Sequence, residues 1–283
     1  MPIHPRVICS TISFRHQPLP EALEVIHHLG FSGIDLGALP GVCEHVGPHL
    51  APHEVENVRE SLARQQLAVA SINADLGDVN RVTDKPTRRH QRQQLERLVR
   101  LCQAVGSPAL VLPNGSPGSE PLRGLDHDLD TAAQTLTWAA DQVQAGGIDL
   151  WVEAQHSGRV CWSLDRAVAL MARLEGTGIG VVMDFSHVVA SGDDPLNFVD
   201  ALGARVRHVH VRDAVPGDIH LSVGRGDVDF RAGIKALERS GYSGAYSLEL
   251  ETRDVTEDQR PTAAEAAGTF IGELLDSHKE TTS

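Results

Sequence analysis

Short apolar runs alternate along the chain with longer stretches in which apolar residues recur every third or fourth position. The runs lie at 7–13, 33–36, 68–73, 109–113, 148–153, 179–184, 206–211 and 245–250. Several are rich in Val and Ile at consecutive positions, as expected of strands covered on both faces in a parallel sheet. The longer stretches carry helical spacing. Leu19, Leu23 and Ile26 lead to Gly30, and Leu95, Leu98, Leu101, Cys102 and Val105 lead to Gly106. Leu129, Ala133, Leu136 and Ala140 run up to Gly146-Gly147, and Ala167, Leu170 and Leu174 end near Gly176. A glycine just past the last apolar position is a helix stop. Val55, Val58 and Leu62 form a further stripe, Ile234 and Leu237 follow Asp229-Phe230, and a last helix is expected over 263–275.

Strands alternating with helices read as α/β with a parallel sheet. A doubly wound open sheet and a (β/α)₈ TIM barrel both fit. The barrel is preferred because the strands number eight and no glycine-rich phosphate loop follows the first. The length of 283 residues, 41% of them hydrophobic, suits that fold, which takes about 250 residues. One domain is expected over residues 1–276, with a frayed polar tail at 277–283.

The formal net charge is −13, which disfavours a nucleic-acid partner, since phosphate contacts demand a basic face. Cys9, Cys43, Cys102 and Cys161 are widely spaced and form no CxxC pair, so they read as reduced thiols. The start, MPIHPRVICS, lacks the long apolar core of a signal peptide, and no apolar run approaches a membrane span. A cytoplasmic protein without membrane contact is expected. The basic run Arg88, Arg89, Arg92, Arg97 and Arg100 interleaves with an apolar stripe and reads as a solvated helix face.

In such a barrel the chemistry sits at the C-terminal ends of the strands. The last four strands end at Glu153, Asp184, His210 and Glu249. Neighbouring strands lie about 4.8 Å apart, so side chains of like parity converge. Three carboxylates and an imidazole suit one divalent ion, with Mn²⁺ first and Mg²⁺, Co²⁺ or Zn²⁺ as alternatives. Without a cation the three anions repel. A single acid at a strand end is usually a helix cap, but four in register on adjacent strands point to a metal.

The segments Val152-Glu153-Ala154, Met183-Asp184-Phe185-Ser186-His187, His208-Val209-His210-Val211-Arg212-Asp213, Gly224-Arg225-Gly226-Asp227-Val228-Asp229-Phe230 and Gly241-Tyr242-Ser243-Gly244 before Leu248-Glu249 resemble the xylose isomerase-like TIM-barrel family of sugar isomerases and epimerases, which also holds inosose dehydratases. The resemblance is strongest from Glu153 onward. It implies that Glu153, Asp184, His210 and Glu249 bind the metal and that Glu153 and Glu249 double as the catalytic proton carriers. It places His187 on the substrate. His156 follows Glu153 as His187 follows Asp184, and points to the same mouth. His208 reads as a core histidine or a partner behind the ligands. Arg225, between two glycines where relatives carry Glu, is a candidate anion contact or an ion-pair partner. Arg212 and Asp213 equally suit a surface pair. Trp162 reads as a loop anchor.

The resemblance implies a divalent-metal-dependent isomerase or epimerase of a small keto-sugar or sugar phosphate, working through a metal-stabilised enediolate, in a homo-oligomer (dimer or tetramer). A dehydratase of a keto-inositol or keto-sugar at the same site is the alternative. An apurinic endonuclease would need more histidines and a basic cleft, and a non-catalytic barrel would have shed its paired carboxylates. The loops at 39–49, 75–80 and 113–124, where specificity resides, carry no readable motif.

Overall fold

The computed structural model describes residues 3–47 and 49–281. Eight parallel strands close into a barrel: β1 (Val7–Ser10), β2 (Gly33–Ala38), β3 (Ala68–Ala74), β4 (Ala109–Pro113), β5 (Asp149–Glu153), β6 (Gly180–Asp184), β7 (Val206–Val211) and β10 (Tyr246–Leu248). Between β7 and β10 an antiparallel hairpin, β8 (Asp213–Val215) and β9 (Asp218–Leu221), stands outside the barrel. Helices α1 (Leu19–His28), α2 (Pro52–Gln65), α3 (Lys85–Val105), α4 (Leu125–Gln144), α5 (Leu164–Arg173), α6 (Phe185–Ala190), α7 (Pro195–Leu202), α8 (Phe230–Arg239) and α9 (Arg260–Thr281) complete the fold. The expected (β/α)₈ barrel is the architecture observed.

The burial follows from the layering. Every residue of β4 and β6 is buried, because one side faces the barrel interior and the other the helices. The helices present one stripe inward, as Phe230, Gly233, Ile234 and Leu237 do in α8. Their starts are capped: the Asp84 side chain accepts from Thr87 N at α3 and that of Asp229 from Ala232 N at α8. α3 stops at Gly106, whose φ of 73° suits a residue without a side chain.

Four departures from the sequence pattern matter. β1 ends at Ser10, because the Ser10 hydroxyl accepts from Ile12 N and starts a tight turn over 11–14. This frees Ser13, whose Oγ donates to Leu248 O and accepts from Leu250 N. Two helices, α6 and α7, lie between β6 and β7, where the pattern assigned none; α6 is a short turn and a half, α7 buries Pro195, Phe198, Val199 and Leu202 in one stripe, and each is started by an aspartate cap, Asp184 or Asp194. The β8–β9 hairpin was also unassigned. The last helix continues through the expected tail to Thr281, since no Gly or Pro interrupts 273–281; residues 282–283 lie outside the described residues. Among the described residues no helix is long and apolar enough to cross a membrane.

Candidate metal centre

Glu153, Asp184, His210 and Glu249 stand on four neighbouring strands, in the order β5, β6, β7, β10. Asp184 pairs directly with His210 across β6 and β7, and Ser247, two residues before Glu249, pairs with the same histidine. Each of the four offers a ligand atom within 4.8 Å of the others, and all are buried. The expected convergence is therefore present.

Each side chain is held by local structure. Asp184 caps α6 with Oδ1, which accepts from Ser186 N, Ser186 Oγ and His187 N. Its Oδ2 is left facing the cluster, 3.5 Å from Arg212 Nη2 and 3.7 Å from His187 Nε2. Glu249 accepts from Asn73 Nδ2 through Oε1 at 3.2 Å, and its Oε2 lies 3.5 Å from His210 Nδ1. Glu153 places Oε1 3.7 Å from both His210 Nδ1 and His187 Nε2. Both ring nitrogens of His210 are buried without a hydrogen-bond partner. An unpartnered imidazole nitrogen among three carboxylates is a cost that a bound cation removes. The residues present fit a divalent ion.

Arg212 is fully buried, against the expectation of a surface pair with Asp213. It donates from Nε to Ser186 Oγ and from Nη1 to Glu251 Oε2 at 2.9 Å. Arg15 reaches the other oxygen of Glu251. The Asp213 carboxylate instead accepts from the backbone N–H groups of Ala214, Gly224, Arg225 and Val228.

The electrostatics divide the two glutamates. Burial raises the Glu153 carboxyl, but its interactions with His156, His187 and His210 outweigh it and hold the group well below its ordinary value. At Glu249 burial prevails: although His210 and Arg212 pull it down, Glu153 and Asp184 add to the rise, and the carboxyl is pushed up to about 7. His156 and His187 are both pushed down to about 3, chiefly by burial. His210 opposes its burial through Glu249 and Asp35 and sits well above its ordinary value.

A cavity of about 200 Å³ opens over the cluster. His156 and His187 line it as the sequence suggested, with Arg159, Asp75, Glu251 and Asn73. His187 Nδ1 accepts from Ser157 N at 3.3 Å and His156 Nδ1 from Gly158 N at 3.1 Å, so in each ring Nε2 carries the proton. Both are donors aimed at Glu153 and the cavity. Apolar wall comes from Ile12, Leu39, Val42 and Ile219 of the hairpin.

Arg225 is a correction: its side chain is exposed and outside the cavity lining. The glycines beside it serve the packing of the loop, since a Cβ on Gly226 would collide with Ala214 O and Asp213 Oδ1. The guanidinium at the cavity is Arg159, tied to Asp75 at 3.2 Å. Nothing in the loop sequence around Arg159 marked it. Asn73 closes the third expected strand, and its place at a strand end was the signal available. Trp162 lies under Arg166 and outside the cavity lining, a loop anchor as read.

A model of the xylose isomerase-like TIM barrel family matches residues 23–273. The chain belongs to that family. Among its relatives, an uncharacterised protein of Methanocaldococcus jannaschii is 22% identical over 85% of this chain and 82% of its own length. The inosose dehydratase of Geobacillus thermodenitrificans is 24% identical over 44% of this chain, a match spanning 48% of the dehydratase. Two solved structures of the same architecture are the 3-keto-D-glucoside 4-epimerase of E. coli and the IolI protein with a bound zinc atom. The first has a TM-score of 0.74 at 17% identity, covering 94% of this chain and 98% of its own. The second has a TM-score of 0.77 at 16% identity, with the same two coverages of 94% and 98%. Both solved structures share this chain's fold.

Proposed function

We propose that the protein is a divalent-metal-dependent isomerase or epimerase of a small keto-sugar or keto-polyol, with Glu153, Asp184, His210 and Glu249 as metal ligands. The observation that carries this reading is the meeting of those four ligand atoms within 4.8 Å beneath the cavity. A divalent ion held there supplies Lewis acidity to a carbonyl and adjacent hydroxyl of the substrate, acidifying the C–H between them. Glu153 and Glu249 come from the outer two of the four strands and flank the ion's place. One removes the proton and the other returns one. Return to the opposite face of the same carbon gives an epimer; return to the neighbouring carbon gives the aldose–ketose isomer. His156 and His187 donate Nε2–H to substrate oxygens. The lining carries Asp75, Glu153, Glu249 and Glu251 against Arg159, a balance that suits a neutral polyol better than a phosphate ester or a nucleic acid.

The match to inosose dehydratases favours one second reading, in which the same proton abstraction is followed by loss of a β-hydroxyl. Ketohexoses, ketopentoses, their phosphates and inososes, each incubated with protein loaded with Mn²⁺, Mg²⁺, Co²⁺ or Zn²⁺, separate the two: an epimer or isomer keeps the substrate's mass and a dehydration product lacks one water. Glu153→Gln and Glu249→Gln are expected to abolish turnover. Full activity of either variant, or of the wild type in excess chelator, removes the proposal.

A further inference from the structure

Beneath the proposed metal ligands lies a second buried cluster that the acid–base scheme does not use. Asp35 of β2 reaches across the barrel interior to β7. Its Oδ2 accepts from His208 Nε2 at 2.6 Å and stands 3.5 Å from His210 Nε2; its Oδ1 accepts from Ser71 Oγ at 2.8 Å. Asp35, Ser71, His208 and His210 are all at most 1% exposed. Trp151 stacks on the His208 ring, and the His208 and His210 rings meet edge to face.

The backbone is bent to make this arrangement. The β2–β3 register slips between Ile34 and Asp35, and the β6–β7 register slips between Val181 and Val182, opposite β7 residues 206 and 208. Such bulges re-aim the side chains that follow them. The two in this barrel lie where Asp35 and His208 leave the backbone, the two residues joined by the 2.6 Å bond.

His210 is thus held between two sets of carboxylates. Nδ1 faces Glu153 and Glu249 at 3.7 and 3.5 Å, and Nε2 faces Asp35 at 3.5 Å. A neutral imidazole has one N–H and one lone pair. With the proton on Nε2, directed at Asp35, the lone pair of Nδ1 points at the cluster above. We infer that Asp35 is a positioning residue of the metal centre: anchored by His208 and Ser71, it keeps His210 in the tautomer and orientation that turn Nδ1 toward the ion. This inference rests on the metal-site reading given above. It is distinct from a second cation bound by Asp35, His208 and His210, because the short His208 hydrogen bond already occupies Oδ2.

Asp35→Asn leaves a single acceptor oxygen for the two hydrogen bonds from His208 and Ser71 and removes the charge that faces His210 Nε2. It is expected to weaken Zn²⁺ affinity about 10- to 100-fold, the usual cost of losing a partner behind a ligand, measured by competition with a chromophoric chelator. It is also expected to alter the visible ligand-field spectrum of the Co²⁺-loaded protein, a change that a general loss of stability does not produce. Unchanged affinity together with an unchanged spectrum overturns the role of Asp35. If the variant does not fold, ¹⁵N-histidine spectra of the zinc-loaded wild type decide: metal on Nδ1 with a proton on Nε2 supports the inference, and metal on Nε2 overturns it. Two ions bound per chain also overturn it. A wild type that takes up no Zn²⁺ or Co²⁺ sinks the metal site itself, whereas a wild type and Asp35→Asn that bind alike sink only this inference.

Discussion

The imidazoles of His156 and His187 stack with ring centroids 3.7 Å apart and planes inclined by 26°, and both direct Nε2 at Glu153. Burial pushes each down to about 3, so both stay neutral through the range in which enzymes are assayed. A bound cation pushes them further the same way. His187→Ala is expected to lower kcat/KM about 10- to 100-fold, the value of a hydrogen bond to a charged partner, with metal content unchanged. His156→Asn is expected to leave the acid limb of the pH–rate profile in place. A shift of that limb shows that His156 titrates during turnover and refutes the assignment.

Arg212 bears on stability rather than on the cavity. It is fully buried between Asp184 and Glu251. Arg212→Met leaves Asp184 without its guanidinium and Glu251 with Arg15 alone, and breaking a buried pair in this way costs about 3–5 kcal/mol. A fall in Tm on the order of 10 °C is expected by calorimetry. Saturating Zn²⁺ should recover part of it, because the ion neutralises Asp184. An unchanged Tm contradicts the network.

Metal affinity is expected to depend steeply on pH. Glu249 is pushed up to about 7 in the metal-free protein, above the ordinary value near 4.3, so it holds a proton that the ion must displace. From pH 5 to 7 each unit should therefore raise affinity at least about tenfold. His210, also held well above its ordinary value, adds to the slope. The raised Glu249 also has a consequence for the metal-free fold: the folded state binds the extra proton, so stability falls as pH climbs from about 4.3 toward 7. Titration calorimetry in buffers of different ionisation enthalpy reads the protons released. Uptake without proton release sinks the prediction.

The loop after the hairpin separates two neighbouring residues. Gly226→Ala is expected to cost about 1–3 kcal/mol through overpacking against Ala214 and Asp213, and to speed hydrogen exchange over 213–229. Arg225→Ala is expected to change neither stability nor KM. A raised KM in Arg225→Ala restores the anion contact first expected of it.

What the sequence revealed follows from periodicity. Strands covered on both faces announce themselves as apolar runs, and a charged residue closing such a run stands out, which is why Glu153, Asp184, His210 and Glu249 were legible. Arg212 lies two residues beyond His210 and shares its parity, so its inward course was legible too, yet a guanidinium at a strand exit reads more simply as a surface group. Asp35 was not legible: it sits inside a strand among glycines, and its partner is 173 positions away. Arg159 and Asp75 belong to loops whose course depends on the folded barrel. The glycines around Arg225 satisfy a packing need, and sequence alone does not separate that need from close approach to a ligand.

The Ser13 hydroxyl, bonded on both sides of Glu249 to Leu248 and Leu250, spans 235 and 237 positions. That link knots the beginning of the chain to its final strand. Contacts so remote in sequence form late, after the entropy of the intervening loop has been lost. Glu249 follows the strand that pairs with β7 beside His210 on one side and with β1 on the other, so the Ser13 link fastens the fourth ligand where the two ends of the barrel are sewn together.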